Sequence, residues 1–162
     1  MVSIGKRNLV FKEPLEELKT VEKLIIHHTS REDWNIYDTH DFHRNTRKWS
    51  GIGYNFFIER VTPHEGEILE GRGFYTGAHA FGNNYNTIGI CVAGDFDKDY
   101  PTEKQWFSLL EICLVLMEKF HLKPKDILGH RELKGVTKTC PGKNFDMHSL
   151  RRELDKLGTD FE

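Results

Sequence analysis

Leu24-Ile25-Ile26-His27-His28-Thr29 is the stretch on which the fold turns. Three large apolar residues followed by two imidazoles read as a central strand that delivers polar groups to its carboxyl end. Open α/β sheets keep their sites at that end. A second stretch answers it: Gly129-His130-Arg131-Glu132-Leu133-Lys134-Gly135-Val136-Thr137-Lys138-Thr139-Cys140-Pro141-Gly142. It follows Ile127-Leu128, the end of another buried strand, and the turn Lys123-Pro124-Lys125-Asp126 stands ahead of that. His130 and Cys140 thus share one short loop. Imidazole nitrogen and thiolate sulfur are ligands that zinc prefers. Taken singly, His130 reads as a hydrogen-bonded loop residue and Cys140 as a small buried one. A third ligand from His27 or His28 would make a site, and three protein ligands with an open fourth position is the catalytic arrangement.

The elements between these stretches follow from periodicity and punctuation. Val21 to His28 is the first strand. The preceding residues are weakly patterned: Leu9-Val10-Phe11 reads as a short edge strand or an arm, and Pro14 to Leu18 as one helical turn. Ser30 to Trp49 reads as a helix capped by Ser30 or Asp33, with Ile36, His40, His43 and Arg47 at helical spacing. His40 and His43 read as packing or exposed histidines rather than ligands. Tyr54 to Glu59 and Glu67 to Glu70 form a hairpin around Pro63-His64-Glu65-Gly66. A long loop then runs to Asn86, and its Gly77-Ala78-His79-Ala80 segment suggests close packing. Gly71-Arg72-Gly73 opens no helix, so it is no dinucleotide fingerprint. Thr87 to Ala93 is the most apolar strand. Thr102-Glu103-Lys104-Gln105 is a capping box that starts a helix with a buried stripe through Trp106, Leu109, Leu110, Cys113, Leu114, Met117 and Phe120. A last helix starts near Asp146, runs through Leu150, Leu154 and Leu157, and stops at Gly158. The expected fold is a single α/β domain, a central mixed β-sheet flanked by helices, with the zinc site at the strand ends. Its expected bounds are an N-terminal arm over 1–20, the domain over 21–158 and a short tail over 159–162.

Composition sets limits on partners. A chain of 162 residues, 38% hydrophobic and 30% charged, is one domain with room for a core. A net charge of -2 gives no electrostatic footprint for nucleic acid. The three cysteines, Cys91, Cys113 and Cys140, are odd in number and irregular in spacing, so they are no disulfide framework. Cys91 and Cys113 read as inert core thiols. No stretch approaches the roughly 20 apolar residues of a membrane span, and no signal peptide is visible. Synthesis in the cytoplasm and a monomer are expected.

Eight motifs in order then resemble one family. They are Ile25-Ile26-His27-His28-Thr29, Gly53-Tyr54-Asn55-Phe56, Glu70-Gly71-Arg72-Gly73, Gly77-Ala78-His79-Ala80, Ile88-Gly89-Ile90, Gly94-Asp95-Phe96, Gly129-His130-Arg131 and Cys140-Pro141-Gly142. From Val21 to Leu157 the chain resembles the type 2 N-acetylmuramoyl-L-alanine amidases, which include phage lysins and animal peptidoglycan recognition proteins. The resemblance implies a zinc hydrolase that cuts the amide between the lactyl group of N-acetylmuramic acid and L-alanine in bacterial peptidoglycan. It maps zinc to His27, His130 and Cys140, choosing His27 over His28. It places catalytic groups at Tyr54 and Lys138, the latter two residues before the cysteine, where phage-type members carry lysine. His79 and Asn84 fall at substrate-groove positions. The absence of a visible wall-binding module fits a compact, bacteriolytic phage endolysin that reaches the cell wall after release from the host cytoplasm, and equally a catalytic domain cut from a longer enzyme. A non-catalytic recognition module would lack the zinc cysteine, so Cys140 argues against it. A purely structural zinc site would need a fourth protein ligand, for which His28 or His79 could serve.

Overall fold

The computed structural model describes residues 2–159. Six strands form one mixed sheet: β1 (Ile4–Gly5), β2 (Lys23–His28), β3 (Phe56–Ile58), β4 (Ile68–Glu70), β5 (Thr87–Val92) and β6 (Ile127–Gly129). Their spatial order is β1-β4-β3-β5-β2-β6, and only the β3–β4 hairpin pairs antiparallel. Three helices complete the layers: α1 (Ile36–Asp41), α2 (Glu103–Phe120) and α3 (Met147–Thr159).

The alternation of side chains along the strands divides the core in two. Leu24, Ile26, Ile88, Ile90 and Val92 face α2 and α3, whose Leu109, Leu116, Leu150 and Leu154 cover them. Truncating any one of these buried leucines to alanine is expected to cost about 2–5 kcal/mol. Phe57, Leu69 and Cys91 face the other way and meet Ile36 and Ile52. The central strands are therefore apolar on both faces, which is why they read as continuous hydrophobic runs.

Two of the helix starts follow from the sequence. Thr102 caps α2, accepting from Gln105 N at 3.1 Å while Gln105 returns a bond to Thr102 N. Asp146 accepts from the Ser149 amide at the start of α3. Gly158 does not stop α3, which runs through it to Thr159. Of the tail expected at 159–162, residues 160–162 lie outside the described ones.

Three expectations change. The segment from Ser30 to Trp49 is not one helix. Ser30 has φ +61°, so no helix can begin there; Asn35 caps α1 through a box with Asp38, and the chain widens into a π-turn at Phe42–Thr46. Leu9 to Phe11 forms no strand, and the edge strand is Ile4–Gly5, paired parallel to β4. Pro14 to Leu18 forms no helical turn; it runs beside the long loop, with Leu18 N donating to Phe74 O and Thr76 N donating to Glu16 O.

Candidate metal centre

His27 and His28 end β2 and, as neighbours on a strand, point to opposite faces. His28 turns to the α2/α3 side, where its Nδ1 accepts from Phe96 N and its ring stacks on Phe96. His27 turns the other way, and its ring stands 4.6 Å from that of His130 and 5.1 Å from that of Tyr54. His130 arrives on the short 3-10 turn immediately after β6. Because β6 pairs with β2, the two imidazoles are delivered by adjacent strands.

Cys140 is carried by a loop with several ties. Arg131 N donates to Cys140 O at 2.7 Å, and the Arg131 guanidinium donates to the carbonyls of Thr139, Gly142 and Phe145. Asp97 accepts from Thr139 Oγ1 and from Lys143 N. The Cys140-Pro141 peptide is cis. Glu132 accepts from Gly129 N and holds Arg151 of α3 through two bonds of 2.8 and 2.9 Å, which anchors the His130 turn.

The result is a convergent donor set. One ligand atom each from His27, His130 and Cys140 lies within 4.8 Å of the others, and among the described residues this group has three members. Cys140 Sγ stands 3.6 Å from His27 Nδ1. Tetrahedral bonds of roughly 2.0 and 2.3 Å to nitrogen and sulfur would separate the two donors by about 3.5 Å, close to that spacing. Charge state agrees. Burial, then the neighbouring histidines, holds His27 well below the ordinary imidazole range, and burial with Lys138 lowers His130. Both rings are neutral at neutral pH, with a lone pair to give. Burial pushes the Cys140 thiol up to about 12. A divalent cation is the missing charge that would ionise it. The donor chemistry therefore fits zinc.

These groups lie in a cleft of about 520 Å³, a size suited to a ligand. Tyr54 and Lys138, singled out in the sequence, both line it. Burial, then Cys91 and Cys140, raises the Tyr54 phenol well above 10, so it remains an O–H donor. Lys138 is exposed at the mouth. Sequence reasoning missed the rest of the wall: Trp34, Phe42 and Trp49, with Arg31 over Trp34 and Arg47 over Phe42 and Trp49. No Asp or Glu side chain lines the cleft among the described residues.

Of the two substrate-groove expectations, His79 lines the cleft and Asn84 does not. His79 is largely buried beside His27, with Nδ1 2.9 Å from His27 Nε2 and Nε2 3.2 Å from Thr87 Oγ1. Asn84 Oδ1 accepts from the amides of His79 and Ala80 and so fixes the loop that carries the ring. His40 and His43 are packing residues: their Nδ1 atoms accept from Ile52 N and Gly53 N. Cys91 and Cys113 are buried thiols, and Arg72 is buried on the carbonyls of Gly51, Ile52 and Thr76.

Comparison with known proteins identifies relatives of the chain. The family described as N-acetylmuramoyl-L-alanine amidase matches residues 17–143. A peptidoglycan recognition protein of Trichoplusia ni is 30% identical over 144 residues, which covers 83% of this chain and 75% of that protein. The human N-acetylmuramoyl-L-alanine amidase is 32% identical over 111 residues, 67% of this chain, and the match spans only 18% of the human protein. Among solved structures, the N-acetylmuramoyl-L-alanine amidase LysC from Clostridium intestinale URNW superposes with a TM-score of 0.86 at 29% identity, covering 96% of this chain and 99% of that one.

Proposed function

The chain belongs to the N-acetylmuramoyl-L-alanine amidase family, and from that premise we propose that it is a zinc-dependent hydrolase of the lactyl-L-alanine amide in bacterial peptidoglycan. The observation that carries the reading is the convergence of His27, His130 and Cys140 at the base of an open cleft. These three would hold the ion, and the cleft leaves its remaining side to water and substrate. When bound, zinc supplies a Lewis acid that polarises a carbonyl and lowers the pKa of water to about 7.

The chain's own groups divide the remaining work. Tyr54, kept protonated by burial, donates a hydrogen bond where negative charge develops on the scissile carbonyl oxygen. It is too weak an acid to serve as a base at neutral pH. Lys138 adds positive charge at the same place and has protons to return to the leaving amine. With no carboxylate on the cleft wall, no Asp or Glu is assigned as general base. Arg31, Arg47 and Lys138 make the rim cationic, which suits a peptide stem bearing carboxylates, while Trp34 and Trp49 offer apolar faces to it. The similarity to the endolysin amidase LysCS from the same Clostridium intestinale, 29% identical with a TM-score of 0.86, supports a lysin-type role; action on the wall after release from a host cytoplasm, as a monomer, is part of the same proposal. The test is amine release from purified peptidoglycan by zinc-loaded and chelator-treated protein. Zinc-dependent release supports the reading; binding without release would make this a recognition module.

A further inference from the structure

One face of β5 reads Thr87, Gly89, Cys91, and the first two positions shape the surroundings of His27. Gly89 leaves room: a Cβ there would meet Cγ, Nδ1 and Cδ2 of His79 at 2.5 to 2.7 Å. The His79 ring thus lies flat over the strand, with one nitrogen toward Thr87 and the other toward His27. Its amide is held by Asn84. All three side chains of this row, Thr87, His79 and His27, are buried at 2%, 8% and 2% exposure.

The row has a direction, because it ends on a backbone carbonyl. Thr87 Oγ1 lies 2.5 Å from Asn83 O. A carbonyl oxygen only accepts, so the single hydroxyl proton of Thr87 is committed to it. Thr87 Oγ1 can then only accept from His79, which puts the His79 proton on Nε2. A neutral imidazole carries one N–H, so His79 Nδ1 is an acceptor. That draws the His27 proton onto Nε2 and leaves Nδ1 bare, 3.6 Å from Cys140 Sγ. Run the other way, the row would put a proton on His27 Nδ1, pointing it at the cysteine and closing the donor set to any cation.

We propose that Thr87 and His79 are positioning residues that select the metal-binding tautomer of His27, with the Asn83 carbonyl as the fixed end of the row. The inference rests on the zinc reading above and extends it to two residues outside the ligand set. Partners of this kind typically change metal affinity about 10–100-fold.

The experiment uses the whole chain. In metal-free ¹⁵N-labelled protein, long-range correlations of the histidine rings report which nitrogen carries each proton. The expected pattern is Nε2–H on both His27 and His79. Nδ1–H on either ring would overturn the relay. Zinc affinity is then measured by competition with a chromophoric chelator for wild type, Thr87→Val and Thr87→Ser. Valine keeps the shape and removes the acceptor, so affinity should fall about 10–100-fold, and serine should restore it. Equal affinity of valine and wild type would overturn the proposal. A wild type that binds no zinc would defeat the proposed function, while the ring spectrum would still decide the relay.

Discussion

Cys140 Sγ and His27 Nδ1 stand 3.6 Å apart although 113 residues separate them in the chain. Nothing local joins them. β2, the strand next to the β6 edge, delivers the imidazole, and the loop after β6 delivers the thiol, held by Arg131 and Asp97. Replacing Cys140 with serine keeps the size and removes the soft ligand. Zinc binding by Cys140→Ser is expected to weaken by more than the roughly 10–100-fold that loss of an outer partner costs. Metal stoichiometry after dialysis against a chelator checks it, and stoichiometric zinc in the variant would remove Cys140 from the ligand set.

Tyr54 is separable from the metal. Tyr54→Phe should bind zinc as wild type does and unfold at nearly the same temperature, while turnover falls about 10²–10³-fold, the usual loss for one oxyanion donor. Unchanged turnover would leave Tyr54 as a packing residue beside Cys91.

Arg131 holds three carbonyls in a planar fork, a task that lysine's point charge cannot reproduce. Arg131→Lys should forfeit one or two charged hydrogen bonds of about 1.5–3 kcal/mol each. For a domain of this length that lowers the melting temperature by roughly 3–24 °C. Calorimetry of metal-free protein measures it; an unchanged midpoint would show that the Cys140 loop is held by other ties.

Acid should unfold the protein through its buried histidines. His43 accepts from Gly53 N, and burial, then Arg47 and Arg72, lowers its pKa to about 3. Above pH 6.5 the ring is neutral whether the chain is folded or not, and stability does not depend on it. Between pH 6.5 and 3 the unfolded chain takes up a proton that the folded one refuses. Stability then falls by about 1.4 kcal/mol per pH unit from this residue. Asparagine at 43 keeps an acceptor and removes the titration, so urea midpoints of His43→Asn should fall less steeply with acid than those of wild type. Parallel slopes would contradict the assignment.

Much of this is legible in the sequence. The run Leu24-Ile25-Ile26 announced a strand buried on both faces, and Thr102 with Gln105 announced α2. His130 and Cys140 declared themselves by sharing a loop. The choice between His27 and His28 was not available from residues alone, because strand alternation says only that they differ, not which face holds the site; the family resemblance made it. The segment after Ser30 misled because the spacing of Ile36, His40 and His43 is real but the backbone changes type at Phe42. Its true start, Asn35 with Asp38, had the form of a capping box. Thr87 carried no signal at all: a hydroxyl at the head of an apolar strand gains meaning only when a loop folds His79 back over Gly89.

Digestion of purified peptidoglycan with product identification by mass spectrometry tests the central claim most directly. Zinc-loaded protein should release stem peptides with a free L-alanine amine and leave glycan with intact lactyl groups, and the chelated protein should release neither. Cleavage at another bond, or equal cleavage without metal, would contradict the account.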